Sequence, residues 1–126
     1  MSESKVSAVI IEDDNMIRQV IGAIIVSLGG EIVGDAETGD KGIALKAELE
    51  PDLIILDIGL GSESGIDVLK AILRKDPEAY VVMLTANDDP VVAEQCIHAG
   101  AKDFINKTLG AHKIAERLKA AVEAVG

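Results

Sequence analysis

The stretch Leu53-Ile54-Ile55-Leu56-Asp57 is four aliphatic residues that end on a carboxylate. A short apolar run bounded by turn signals reads as a buried strand. The same pattern recurs three times. Ala8-Val9-Ile10-Ile11 runs into Glu12-Asp13-Asp14, Val81-Val82-Met83-Leu84 into Thr85, and Phe104-Ile105-Asn106 into Lys107. Helical segments separate these runs, and strands alternating with helices read as a parallel sheet. In an open parallel sheet the ligand site lies outside the carboxyl ends of the strands, where neighbouring connections diverge to opposite faces. The acids, the hydroxyl and the lysine are therefore expected to converge on one small pocket.

Outward from these runs, Met16, Ile17, Val20, Ile21, Ile24 and Leu28 recur at helical spacing, and Gly29-Gly30 closes that helix. Glu31-Ile32-Val33-Gly34 reads as a short second strand. A helix from about Asp40 points Ile43, Ala44, Ala47 and Leu49 inward and stops before Pro51. Past Asp57 comes a loop, Gly59-Leu60-Gly61-Ser62-Glu63-Ser64-Gly65. Ser64 with Asp67 resembles a capping box, with Asp in place of the usual Glu. The helix it opens presents Ile66, Leu69, Ile72 and Leu73, and Pro77 lies beyond its end. Asp89-Pro90 reads as an N-cap followed by proline at the first helical position, and Gly100 ends that helix. The last helix, from about Ala111, aligns Ile114, Leu118, Ala121, Val122 and Val125. Five strand–helix units with right-handed crossovers predict an α/β fold with helices on both faces of the sheet. A closed eight-stranded barrel would need about twice this length. No repeat, linker or low-complexity tract interrupts the pattern, so residues 1–126 are expected to form a single domain with no effector domain.

A chain of 126 residues can bury a full core without disulfide or metal staples. Hydrophobic residues make up 48% of it, yet only Tyr80 and Phe104 are aromatic. Such an aliphatic core offers no platform for stacking bases or flavin rings. A formal charge of −10 argues against a nucleic-acid partner, whose phosphates are gripped by clustered Lys and Arg. No apolar run approaches the roughly 20 residues that span a bilayer, and Met1-Ser2-Glu3-Ser4-Lys5 lacks a signal-peptide pattern. The single cysteine, Cys96, suits a reducing compartment. A cytoplasmic location is expected, with neither nucleic acid nor membrane as partner.

The strand-end groups suit phosphoryl chemistry. A carboxylate can take a phosphoryl group to give an acyl phosphate, but the two anions repel each other. A hard divalent cation offsets this, and Mg²⁺ usually takes one or two carboxylates plus phosphate oxygens and waters. Glu12 and Asp13, beside Asp57 on the next strand, supply such ligands. Lys107 adds a positive charge and Thr85 a hydroxyl donor. Phosphoryl transfer needs mostly positioning and charge neutralisation, so this kit is sufficient.

In chain order, Glu12-Asp13, Asp57, Thr85-Ala86 and Lys107, with Gly65 eight residues after Asp57, resemble the receiver domain of two-component response regulators. The resemblance runs from Val6 to the last helix. It implies a doubly wound (βα)5, flavodoxin-like sandwich whose five-stranded parallel sheet has the order 2-1-3-4-5. It implies that Asp57 accepts a phosphoryl group from a histidine kinase or phosphotransfer protein, with Mg²⁺ as cofactor. Glu12 and Asp13 then match the metal pair, and Asp57 and the main-chain carbonyl of Gly59 are further ligands. Thr85 matches the switch hydroxyl, Phe104 the aromatic switch position and Lys107 the phosphate-pairing lysine. The pattern from Ile11 to Arg18 places Asp13, not Asp14, in the pair; Asp14 reads as a helix N-cap. The family's behaviour implies self-catalysed phosphorylation and slow hydrolysis rather than turnover of a substrate. It also implies a downstream protein target on the face of the fourth helix, fifth strand and fifth helix, near Val91, Gln95, Lys113 and Arg117, in a monomer or a phosphorylation-dependent dimer.

Two positions depart from the family pattern. Thr108 follows Lys107 where the family usually has proline; a non-proline cis bond costs about 3 kcal/mol, so a trans bond or an altered loop is expected. The loop also lacks the common proline at Gly61, which predicts greater flexibility. Gly59-x-Gly61-x-x-x-Gly65 imitates a dinucleotide fingerprint, but its third glycine is one residue late and Glu63 has the wrong sign for a pyrophosphate. His98, Cys96 and His112 have no partner at a metal-ligand spacing and read as structural or exposed. Phe104 fits core packing as well as a switch. The rival function is a small Mg²⁺-dependent phosphatase with an aspartyl nucleophile. It would want a second acid two residues after Asp57, where Gly59 stands; Glu63 is the one side chain in the loop able to serve. A receiver-like docking module that is never phosphorylated is a third reading, against which stands the presence of every reactive position.

Overall fold

The aliphatic runs become the strands and the amphipathic segments the helices. The computed structural model describes residues 5–61, 63–86 and 89–126. Met1 to Ser4, read above for a targeting segment, and Ser62 of the glycine loop lie outside the described residues. The elements are β1 (Ser7–Ile11), α1 (Asn15–Ser27), β2 (Glu31–Ala36), α2 (Gly39–Leu49), β3 (Leu53–Asp57), β4 (Gly59–Leu60), β5 (Glu63–Ser64), α3 (Gly65–Lys75), β6 (Val81–Thr85), α4 (Pro90–Ala99), β7 (Asp103–Asn106), a 3-10 turn (Lys107–Leu109) and α5 (Ala111–Val125). The five long strands form one parallel sheet in the order β2-β1-β3-β6-β7. With the short strands β4 and β5 set aside, this is the expected 2-1-3-4-5 order of a flavodoxin-like α/β fold. No helix among the described residues is long and apolar enough to cross a membrane.

Successive strand side chains point to opposite faces, so each aliphatic run feeds two cores. Val9, Ile11, Ile54, Leu56, Val81 and Met83 pack with Val68, Leu69 and Ile72 of α3 and Cys96 of α4. Ala8, Ile10, Leu53, Ile55, Val82 and Leu84 pack instead with Ile21 and Ile25 of α1 and Ile114 and Leu118 of α5. Burial of each large aliphatic side chain contributes about 1.5–3 kcal/mol, and that is why unbroken apolar runs are found at the centre.

Several local expectations need correcting. In α1 the inward stripe contains Ile17, Ile21 and Ile25, while Met16 is 74% exposed and Val20 also faces outward. Ile24 and Leu28 also pack against that core, so four of the six periodic positions face inward, and the helix carries more apolar residues than its packed face can take, which leaves Met16 and Val20 outside. In α2, Leu45 joins Ile43 against the core, whereas Ala44, Ala47 and Leu49 are exposed. There the closest approach is made by glycine. A methyl group at Gly42 would overlap the Ile11 side chain, and a contact made without side-chain bulk leaves no apolar signal. Strand β2 continues to Ala36, two residues past the expected end. Ser64 stands at the N-cap of α3, but its side chain makes no capping hydrogen bond. The stretch read as a loop after Asp57 pairs as an antiparallel hairpin, with Gly59 opposite Ser64 and Leu60 opposite Glu63. Leu60 pins that hairpin into the core.

The end signals behave as read. Asp14 Oδ1 accepts from the Met16 and Ile17 amides, and Asp89 caps α4 ahead of Pro90. Gly29 and Gly100 adopt positive φ at helix ends. The peptide bonds are trans throughout the described residues, Lys107–Thr108 included.

Candidate functional site

Register brings the strand-end groups together. Ile11 is opposite Leu56, so the next residues, Glu12 and Asp57, leave the sheet side by side. Thr85 is opposite Asn106, which sets Lys107 across from the end of β6. Between β1 and β3 the chain turns to opposite faces, and that crevice is where parallel sheets take ligands. A cleft of about 370 Å³ opens there, lined by Glu12, Asp13, Asp57, Gly59, Thr85 and Lys107 among others.

Carboxylate oxygens of Glu12, Asp13 and Asp57 all lie within 4.8 Å of one another. Glu12 is 0% exposed and Asp57 2%, while Asp13 is exposed at the rim. Lys107 Nζ donates to Glu12 Oε1 at 2.8 Å and lies 3.2 Å from Asp57 Oδ2. One ammonium thus faces three carboxylates, which leaves the cleft with an excess of negative charge. Asp13 shows the strain. The side-chain hydrogen-bonding interaction with the Glu12 carboxyl, then burial, then the Glu12 charge hold it above the ordinary carboxylate range, against the pull of its own backbone amide and Lys107. Burial acts to lower the Lys107 ammonium. The hydrogen bond to Glu12 and the charges of Asp57 and Glu12 outweigh that and raise it above the usual lysine value.

The donor set suits a hard divalent cation. It consists of carboxylate oxygens with no histidine or cysteine among them, and an added cation would relieve the charge excess. Gly59 leaves room, since a methyl group there would touch nothing. Its amide donates to Asp57 Oδ1 at 3.2 Å, which orients the carboxylate from the side of the hairpin.

The predicted site residues do not all share the cleft. Thr85 is buried at its wall. Phe104 lies away from it, paired with Met83 and partly buried against the core on the α3 and α4 face. Asp14 touches the rim but is occupied as the α1 cap. His98 and His112 are exposed, and Cys96 is buried, where desolvation pushes its thiol up.

Three supporting residues escaped the reading of the sequence. Arg18 Nη1 donates to the Glu12 carbonyl at 2.7 Å and so fixes the strand end that carries the acid pair. Asn106 Oδ1 accepts from both the amide and the hydroxyl of Thr108, at 2.8 and 2.6 Å. This closes the turn after Lys107 without proline, and Asn two residues before a hydroxyl was the available signal for it. Glu63 Oε1 accepts from the Gly39 amide at 2.9 Å across 24 residues of sequence, a distance at which no local pattern reports. That bond also turns Glu63 toward α2.

Comparison with known proteins agrees with the geometry. The family model of the response regulator receiver domain matches residues 8–119. The chemotaxis protein CheY of Thermotoga maritima is 33% identical over 109 residues, covering 86% of this chain and 91% of that protein. Among solved structures, the response regulator domain of Thermotoga maritima CheB superposes with a TM-score of 0.85 at 27% identity, covering 96% of each chain. The CheX-CheY-BeF3-Mg+2 complex from Borrelia burgdorferi gives 0.87 at 26% identity, covering 93% of this chain and 89% of that one. This chain belongs to the response regulator receiver domain family of two-component signalling.

Proposed function

We propose that the domain is a phosphorylation-dependent switch that accepts a phosphoryl group on Asp57. The observation that carries this is the setting of the Asp57 carboxylate, buried beside two further acids and 3.2 Å from an ammonium. The Asp57 oxygen attacks phosphorus in a phosphohistidine of a kinase or phosphotransfer protein. The O–P bond forms as the P–N bond breaks, and the imidazole leaves with that electron pair and takes a proton from solvent. Glu12, Asp13, Asp57 and the Gly59 carbonyl would hold Mg²⁺, which supplies neutralisation of the converging negative charge. Lys107 sits where it can exchange its contact with Glu12 for one with a phosphoryl oxygen. Thr85 offers its hydroxyl from the cleft wall.

Among the described residues none is placed as the second acid of a phosphatase, so water is expected to attack the acyl phosphate only slowly in such a site. Gly59 stands where a phosphatase would want a second acid, and Glu63 is engaged by Gly39. The domain is therefore a phosphoacceptor and not a turnover enzyme. Output passes to a protein target over the face of α4, β7 and α5, with the cytoplasm as its compartment. On that face Arg117 bonds the Asp103 carboxylate and also donates to the Phe104 carbonyl at 3.2 Å, joining α5 to β7, the strand that leads into Lys107.

Incubation with Mg²⁺ and acetyl phosphate, followed by intact mass measurement, is expected to show one added phosphoryl group. Asp57→Asn should abolish it, and labelling that survives in this variant would place the acceptor elsewhere. Thr85→Ala should still be labelled but lose most of the phosphorylation-linked chemical-shift change in β7 and α5; a full change would refute the coupling.

A further inference from the structure

We infer that Glu63 is a positioning residue for the phosphoryl site, holding the β4–β5 hairpin and the acid pair in one frame through the start of α2. The inference rests on the phosphoacceptor reading above.

The two halves of the cleft come from different loops. Glu12 and Asp13 follow β1, and Gly59 belongs to the hairpin that follows β3. Among the described residues no sheet pairing joins these loops directly, because the strands have ended. Both are instead tied to the same short strap, residues 36–39, which leads from β2 into α2. At one end of the strap the Glu12 amide donates to the Ala36 carbonyl at 2.9 Å. At the other end the Gly39 amide donates to Glu63 Oε1 at 2.9 Å. The hairpin carries this anchor back to the site, since Glu63 pairs with Leu60 and Ser64 with Gly59. Its base is closed by the Gly65 amide on the Ile58 carbonyl at 2.7 Å. Its turn comes near the opposite half, with a methyl group at Gly61 reaching to 3.9 Å of Asp13 Oδ2.

The chemistry of the anchor suits the task. Gly39 is the first residue of α2, so its amide is one of the unpaired donors at the positive end of the helix. Thr38 caps the Lys41 amide only, which leaves Gly39 for an outside acceptor. The approach is close enough to require glycine: a methyl group there would overlap Val68 Cγ2 and come within 2.8 Å of Glu63 Oε2. A carboxylate of glutamate length is thus held on a buried amide, at the outer end of a hairpin that lacks a proline to stiffen it.

The test uses the full chain with Glu63→Ala, Glu63→Gln and Glu63→Asp. Amide exchange is followed in the metal-free proteins, and Mg²⁺ affinity by calorimetry. Glu63→Ala is expected to speed exchange at Gly39 and Gly65 at least tenfold and to weaken Mg²⁺ about three- to tenfold. Glu63→Gln keeps an acceptor oxygen at the same reach, so it should stay near wild type in both. Glu63→Asp keeps the charge but falls one methylene short, so it should behave like Glu63→Ala. Rescue by Asp but not Gln would show that charge rather than the contact matters, and would overturn the inference. Wild-type exchange and affinity in all three variants would overturn it as well. Wild-type protein that is not labelled at Asp57 would refute the function proposed above, an outcome separable from either of these.

Discussion

Gly65 packs directly on the backbone that carries Asp57. A methyl group added to it would overlap the Asp57 carbonyl oxygen and come within 2.5 Å of the Ile58 Cα and 2.9 Å of the Asp57 carbonyl carbon. The start of α3 lies against the end of β3 with no space for a side chain. Gly65→Ala is therefore expected to cost about 2–3 kcal/mol by overpacking, and to shift the Asp57 loop. A lowered urea midpoint with weakened Mg²⁺ binding is the expected result; an unchanged midpoint would contradict it.

Asp14 caps α1, whereas its neighbour Asp13 is proposed as a metal ligand. Asp14→Ala removes the acceptor for the Met16 and Ile17 amides and should cost about 1 kcal/mol, with the Mg²⁺ titration nearly unchanged. Asp13→Asn should weaken Mg²⁺ by about tenfold or more while stabilising the metal-free protein by about 0.5 kcal/mol, through relief of like charge. If the larger loss of Mg²⁺ affinity came from Asp14→Ala, the register at the end of β1 would be assigned one residue too early.

Lys107 is the cation paired with the buried acids. Lys107→Ala leaves Glu12 and Asp57 without it and should destabilise the metal-free protein by about 3 kcal/mol. Mg²⁺ offsets the same charges, so it should raise the melting temperature more in the variant than in wild type. Equal shifts in the two proteins would show that lysine and metal do not compensate for one another.

Two acids give stability opposite dependences on pH. Asp13 is raised above its ordinary 3.8, so its contribution is present at low pH and lost as pH rises through the raised value. Asp76 is lowered by its hydrogen bond from Lys46 and by the Glu78 amide. Its contribution is present above 3.8 and lost as pH falls through the lowered value. In metal-free protein the gain from Asp13→Asn should grow as pH rises through the carboxylate range. The loss from Lys46→Met should vanish at the acid end. A constant offset across pH in either variant would refute the assignment.

The strands, their order along the chain and the polar groups at their ends were legible in the residues alone. Leu53 to Leu56 and Val81 to Leu84 are apolar without interruption because both their faces are covered, and a polar residue marks the point where each leaves the core. Helix ends were legible for a similar reason: Asp14, Asp89, Gly29 and Gly100 act on backbone groups within a few residues of themselves. The inward faces of α1 and α2 were legible only in part: Ile17, Ile21, Ile24, Leu28 and Ile43 pack as read, whereas Met16, Val20, Ala44, Ala47 and Leu49 are exposed. In α1 apolar residues exceed the contact area, and in α2 the closest approaches, beside the packing of Ile43 and Leu45, are made by Gly39 and Gly42, which carry no hydrophobic signal. Tertiary structure alone decided that Glu63 meets Gly39, that Arg18 holds the Glu12 carbonyl and that Gly65 lies against Asp57. Each of these depends on where two packed elements come to rest, and a contact fixed by the packing of distant segments leaves no periodicity in the chain for a reader to find.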